Sequence, residues 1–323
     1  MGKETTAGTI AVATTVLRAN GMLEDLSELD ELGKQENVGL MVETDRTNIK
    51  KLLGGFTQED FSATFEQFPY LCEASIKKVG TGVTDTAGSG KIYNYPVGIL
   101  ASNTIQTYTI EGGDANAAEV MEYAFVESWK LSGESEGGVI MGATWKGRQV
   151  VPQAFTGTVA IPTVEDIVFG QTKLYIDAIT GTAGTTPKSN TMLGFSVEYK
   201  SGLIPKYTGE GNKYFTYLQN VGPEMTINVT FEHDGIAVAQ KAAFAAQTPL
   251  KLRLLLEGST LTTAGTFSKK SIIIDATGKW TKFDKIGERN GNDIVTGTFV
   301  AKYNPTAASF ATVKVVNQLA TLT

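Results

Sequence analysis

Two stretches of strict alternation constrain this chain more than anything else in it. Along residues 192–200 Leu193, Phe195, Val197 and Tyr199 alternate with Gly194, Ser196, Glu198 and Lys200, and along 224–232 Met225, Ile227, Val229 and Phe231 alternate with Glu224, Thr226, Asn228, Thr230 and Glu232. A period of two with one apolar and one polar face predicts a pair of half-buried strands. A Gly-, Tyr- and Lys-rich insertion at 201–223 separates them. After the second comes HDGIAVAQKAAFAAQ, where Asp234 is placed to cap a helix over 235–247 with Ile236, Ala239, Ala243 and Phe244 at helical spacing. The expected product is an antiparallel sheet with one docked helix.

The preceding half reads in the same order. Residues 9–18 and 38–45 are expected strands, the latter with Val38, Leu40 and Val42 on one side, divided by the acidic segment 24–37. A helix is expected over 57–68, capped by Thr57 and carrying Phe61, Phe65 and Phe68, with a strand over 70–78 after Pro69. A flexible loop at 80–90, short strands near 91–95 and 105–110, and a hairpin of 123–131 with 139–147 complete it. In that hairpin Phe125, Glu127, Trp129 and Leu131 are expected on one face, opposite Val139, Met141, Ala143 and Trp145.

Matched in order, 9–18 answers 192–200, 38–45 answers 224–232, helix answers helix, 69–78 answers 249–258, 91–95 answers 271–275, and the first hairpin answers a closing hairpin of 293–303 with 311–318. The offset stays near 170 to 190 residues, as an old duplication with drifting loops would leave. The fold class read from this is mainly β with one helix per domain. Residues 1–150 form a first domain, 151–171 an extended linker with Pro152 and Pro162, and 172–323 a second domain. A length of 323 residues suits two such cores, and 35 glycines suit many short strands and turns.

Several chemistries are looked for and set aside. A formal charge of −6 argues against a protein that grips nucleic acid by counterion release. One cysteine, Cys72, allows no internal disulfide, and Cys72 with the single histidine, His233, makes no metal cluster, so neither metal nor cofactor is expected. Cys72 reads as a buried thiol and His233 as a strand-to-helix junction residue. Gly90-Lys91 ends a Gly/Thr loop, yet Asp85 stands where a phosphate loop needs glycine and Ile92 where it needs Ser or Thr. Glu134/Glu136 and Glu165/Asp166 fall in turn and linker sequence, unlike a glycosidase pair. Asn228-Val229-Thr230 matches a glycosylation site but sits in a strand of a chain with no visible export signal. No run approaches the roughly 20 apolar residues of a membrane helix, and no catalytic activity is expected.

The run 108–148, YTIEGGDANAAEVMEYAFVESWKLSGESEGGVIMGATWKGR, carries an aromatic-flanked Thr-Ile-Glu segment (Tyr108, Thr109, Ile110, Glu111), a Trp-x-Leu-Ser element (Trp129, Leu131, Ser132), a glycine turn (Gly137, Gly138) and a closing Gly147. With 195–211 and 224–235 it resembles the tail tube (major tail) proteins of long-tailed bacteriophages, from about residue 38 onward. The resemblance implies a structural virion protein, made in the host cytoplasm, whose strands join those of neighbours into an inner β-barrel and whose rings stack through long loops and arms. It implies as partners other copies of itself, other tail proteins at the tube ends, and tape-measure protein and double-stranded DNA in the bore. A duplicated chain would close a ring of three with pseudo-sixfold symmetry. The polar strand faces then supply the expected lumen: Glu43, Asp45, Ser128, Lys130, Thr144, Glu198, Glu224, Thr226, Asn228, Thr230 and Glu232. Long loops supply the expected ring-stacking contacts, at Gly82, Thr84 and Asp85 and at Lys206, Tyr207, Lys213 and Tyr214. Two other classes stay open: a virion decoration or carbohydrate/receptor-binding β-sandwich module, and a hydrolase relying on His233.

Overall fold

β-Branched and aromatic residues recurring at every second position drive most of this chain into strands. A computed structural model describes residues 1–35 and 37–322. In chain order the first half gives β1 (Gly2–Lys3), β2 (Leu23–Asp25), β3 (Glu28–Glu31), β4 (Thr47–Lys51), β5 (Gly54–Ser62), α1 (Phe68–Ser75), β6 (Val83–Thr84), β7 (Lys91–Pro96), β8 (Tyr108–Gly113), β9 (Ala118–Glu134), β10 (Val139–Gly147) and β11 (Val150–Pro152). The second half gives β12 (Thr172–Ala178), β13 (Met192–Lys200), β14 (Leu203–Lys206), β15 (Tyr217–Asn220), β16 (Glu224–Glu232), α2 (Gly235–Ala245), β17 (Leu250–Thr260), β18 (Lys269–Phe283), β19 (Gly287–Arg289), β20 (Asn292–Ala301) and β21 (Ala311–Asn317).

The protein is mainly β, built on a large antiparallel sheet. Its main path runs β2–β5–β10–β9–β13–β16–β20–β18–β17–β12, every neighbour antiparallel. β8 attaches to the early part of β9 and β1 to β8, while β7 and β6 extend from β21. Strands of residues 1–150 and 172–323 therefore share one sheet, joined at β9–β13 and β7–β21. They also share a core that includes Phe65, Phe68, Trp129, Trp145, Tyr199, Phe231, Trp280 and Phe299. α1 packs on β9 and β7, and α2 on β18.

The pair that opened the sequence reading forms as expected. β13 and β16 are hydrogen-bonded neighbours, and Met225, Ile227, Val229 and Phe231 are all fully buried. Asp234 caps α2 by accepting the Ala237 N–H at 2.8 Å. The closing pair differs. Thr277 donates its N–H to Phe310 O at 2.8 Å and accepts from Lys302 N at 2.7 Å. A strand residue's N–H and C=O point to one side, so β20 and β21 both lie along the same edge of β18, with 303–309 as an excursion, rather than against each other. β10 and β11 likewise follow one another along β9.

Five first-half expectations are corrected. Residues 9–18 make no strand, because their N–H groups go to scattered partners, among them Thr109 Oγ1, Thr156 Oγ1 and Gln67 Oε1, and not to a ladder. Residues 38–45 lie in the connection between β3 and β4, where the alternation of Val38, Leu40 and Val42 finds no strand to pair with and stays exposed. The stretch 57–68 is β5 and a turn: pairing of 54–62 with β10 wins over local helix signals, with a bulge at 59–60 opposite Gly142 just before Phe61, and Phe65 lies in the turn beyond the strand. The helix is instead Phe68–Ser75, where a strand was expected, and Pro69 opens it instead of closing the previous one. Cys72 is buried as expected, but on that helix. In the first hairpin a bulge between Trp145/Val126 and Thr144/Ser128 reverses the parity. Val126 joins the main core with Trp129, while Phe125 turns to a separate cluster with Leu53, Leu203 and Phe215.

Candidate functional site

The polar residues of the central strands converge on one face of the sheet. Across it the register sets Ile140 opposite Ser132, Ser132 opposite Ser196, Ser196 opposite Asn228, Asn228 opposite Thr298 and Thr298 opposite Lys282. A second row runs Gly142, Lys130, Glu198, Thr226. A third runs Thr57, Thr144, Ser128, Lys200, Glu224. Together they floor a trough of about 720 Å³ lined by Lys130, Glu134, Ser196, Thr230, Lys282 and Asp284 among others, with a smaller one of about 230 Å³ beside it. Short polar side chains tie the floor laterally: Asn228 Nδ2 donates to Ser196 Oγ at 3.1 Å, Thr298 Oγ1 donates to Asn228 Oδ1 at 2.8 Å, and the Thr230 and Thr296 hydroxyls lie 3.0 Å apart.

Of the expected lumen residues, Ser128, Lys130, Thr144, Glu198, Glu224, Thr226, Asn228, Thr230 and Glu232 thus come together on this face. Glu43 and Asp45 do not; they sit exposed on the β3–β4 connection, outside the sheet.

The expected stacking residues fall into two groups, each tied within the chain. Gly82 donates its N–H to Ala320 O, Thr84 Oγ1 accepts from Lys91 Nζ at 2.7 Å, and buried Asp85 accepts the Phe267 N–H at 2.8 Å. That last bond leads the causes that hold the Asp85 carboxyl below its usual range. The other group sits on the β14–β15 hairpin, which braces β4. The Lys206 carbonyl accepts from Thr216 N, Tyr207 Oη donates to Leu52 O at 3.2 Å, and Lys213 Nζ donates to Asn48 Oδ1 at 3.1 Å. Burial pushes the Tyr207 hydroxyl up to about 12. Arg148 stands over the Tyr123 and Tyr214 rings at 4.6 and 4.9 Å and donates to the carbonyls of Phe215 and Thr216. β3–β4 and β14–β15 leave the sheet at the same end, from Asp25/Gly54 and Lys200/Glu224.

Of the residues set aside in the sequence, three have the following partners. Glu134 pairs with Arg289 at 3.1 Å, and Glu165 binds Ser259 and Lys270. His233 donates its backbone N–H to Asp293 O. Two buried clusters carried no sequence signal beyond a lone charge in an apolar run. Glu73, fully buried on α1, accepts from Tyr108 Oη at 2.9 Å and pairs with Lys3 at 2.9 Å. Lys270 bridges Glu66 at 2.7 Å and Glu165 at 2.9 Å. Among the described residues no group of three or more His, Cys, Asp or Glu side chains is arranged to hold a metal, and no helix is long and apolar enough to cross a membrane.

Two stretches of strand edge are open. β2 pairs only with β5, so its outer edge carries no strand among the described residues. β18 is covered by β17 only as far as Gly278, which leaves 279–283 paired on the β20 side alone. No protein-family model matches the sequence, and a search of curated proteins finds no match.

Proposed function

We propose that this protein is a structural subunit that associates with copies of itself into rings and a hollow tube, the tail tube of a long-tailed phage, through which DNA passes. The observation that carries the reading is the pair of open edges, on β2 and β18, at either side of a sheet whose shared face is polar. Open edges are hazards in a solitary protein and assets where a neighbour completes them.

Duplication of the chain is supported by the pairings, with other counterparts than the linear match gave: β2 and not 9–18 answers β13, β5 and not 38–45 answers β16, and the β9–β10 pair answers β18–β20 and not the closing strands β20 and β21. β5–β10–β9–β8 and β16–β20–β18–β17 follow one order, each with its helix after the first strand, and β1, β2 and β11 find counterparts in β12, β13 and β21. Both units also send out a hairpin between the matched strands, β3–β4 and β14–β15. Even the bulges coincide, at Glu127 in β9 and at Thr281 in β18.

Each unit then offers four strands to the wall, β2, β5, β10, β9 and β13, β16, β20, β18. At about 4.8 Å between strands and a tilt near 40°, three copies would enclose a bore of roughly 40 Å after side chains, wide enough for a double helix. Six copies would roughly double it, so three suits the cargo. Acidic Glu134, Glu198, Glu224, Glu232 and Asp284 on the polar face, interspersed with Lys130, Lys200 and Lys282, disfavour tight phosphate binding, so DNA slides. Negative-stain microscopy of concentrated protein tests this. Hollow rings or tubes are expected; discrete oligomers that bind a glycan array would favour the adhesion-module alternative.

A further inference from the structure

The two helices are buried very differently. All eight residues of α1 are buried, whereas α2 buries only Ala237 and Gln240 and leaves Val238 exposed and Phe244 half-covered. At the joint inside the chain, Phe68 of α1 stands edge-on to Trp129 at 5.1 Å, and Trp129 stacks on Tyr199 of β13 at 5.4 Å. In the second unit Phe244 of α2 meets Phe283 at 5.8 Å, and among the described residues no strand pairs on the outer side of 279–283.

We infer that a second copy covers α2 and the open edge of β18, and that this joint between copies repeats the β9–β13 joint within the chain. The inference rests on the self-association reading and adds to it the two faces and their register. The bulges and the β5/β16 pairings align Ser128 with Lys282 and Val197 with Leu23. Inside the chain Leu131 pairs Val197 and Ser132 pairs Ser196. Carried across, Lys285 of one copy falls opposite Leu23 of the next, Ile286 opposite Met22, and Asp284 opposite Glu24.

Two observations support that match. Ile286 and Met22 are large apolar side chains left 51 % and 74 % exposed, and the register brings them together. Beside β2 lies a groove of about 350 Å³, with Val16, Leu17, Leu23, Phe56 and Ile110 in its lining, on the side where Phe283 and Phe244 of the neighbour arrive. The match is not complete: Asp25 stands where the internal joint has Tyr199, so the stacked aromatic pair is not repeated; Lys285 stands where it has Leu131; and Asp284 faces Glu24 where Lys130 faces Glu198, a like-charge pair that opposes the joint.

Met22→Cys with Ile286→Cys tests the register, because directly opposed antiparallel residues suit a disulfide and the one native thiol, Cys72, is buried. Oxidised rings should run as a covalent ladder ending at the closed ring, with either single variant giving none. Hydrogen exchange on unmodified protein, rings against subunits, supplies a readout independent of the substitutions. Residues 20–26, 282–288 and the exposed side of α2 should each gain at least tenfold protection. Rings that form without crosslinks, or without protection there, overturn this joint; failure of the unmodified protein to form any ring overturns instead the reading beneath it.

Discussion

Replacing Lys270 by Met should loosen the junction between the two halves more than any other single charge change. Lys270 binds Glu66 of the first half and Glu165 of the connecting segment, and the side chains of Lys270 and Glu66 are only 15 % and 5 % exposed. Removing one partner of a buried pair costs about 3–5 kcal/mol, because the other charge is left uncompensated. Glu165 keeps Ser259 and some water, and Glu66 keeps the Glu165 N–H at 2.8 Å, so the lower end, about 3 kcal/mol, is expected. Pairing Lys270→Met with Glu66→Gln should recover most of that loss. Urea unfolding reads it as a lower midpoint at unchanged slope.

The loss should depend on pH. Burial pushes the Glu165 carboxyl up, but hydrogen bonds from Ser259 and Lys270 outweigh it and leave it below its usual 4.5. Burial pushes Lys270 down, and its bonds to Glu66 and Glu165 outweigh that, leaving it above 10.5. A depressed carboxyl contributes stability above its unfolded value and loses it as pH falls through the folded one. A raised lysine contributes below its unfolded value and loses it as pH rises through the folded one. The gap between wild type and Lys270→Met should therefore be widest from about pH 5 to pH 10 and shrink in acid. A gap below about 1 kcal/mol at neutral pH, or one that widens in acid, refutes the reasoning.

Other consequences follow from single residues. Trp129→Ala removes the ring between Phe68 and Tyr199 and should cost about 3–5 kcal/mol, read by the same unfolding curve. Gly202→Ala should cost more than about 1 kcal/mol, since φ is +68° and its Cβ would meet Gly222 O. Cys72, fully buried and with burial pushing its thiol well up, should react with a thiol reagent only at the rate of unfolding. Thr226→Lys, Asn228→Lys and Thr230→Lys together should lower stability by a few kcal/mol, since Asn228 and Thr230 lose their cross-strand bonds, yet make the assemblies that form retain double-stranded DNA at low salt, with retention falling as salt rises; unmodified assemblies should retain none.

What could be read in advance divides along physical lines. β13 and β16 were legible because each meets partners that respect its own period, apolar side inward, and α2 because Asp234 is in place as a cap, although the helix buries Ala237 and Gln240 and leaves Ala239 of the expected stripe exposed. The stretch 57–68 was not, because phenylalanines at 61, 65 and 68 arise equally from a helix and from a bulged strand running into a turn, and only the distant partner β10 decides. Residues 38–45 show that alternation without a partner makes no strand. On the polar face, strand residues were legible from alternation alone, whereas Glu43 and Asp45 inherited their places from that failed strand. The Lys270 junction joins residues roughly a hundred positions apart at each step, and no local pattern announces it.

Symmetry-averaged electron microscopy of concentrated protein tests the central claim most directly. The account predicts hollow rings of three copies with pseudo-sixfold density, whose wall runs unbroken from β18 of one copy to β2 of the next. A protein that stays monomeric at every concentration, with both edges open to solvent, would contradict it.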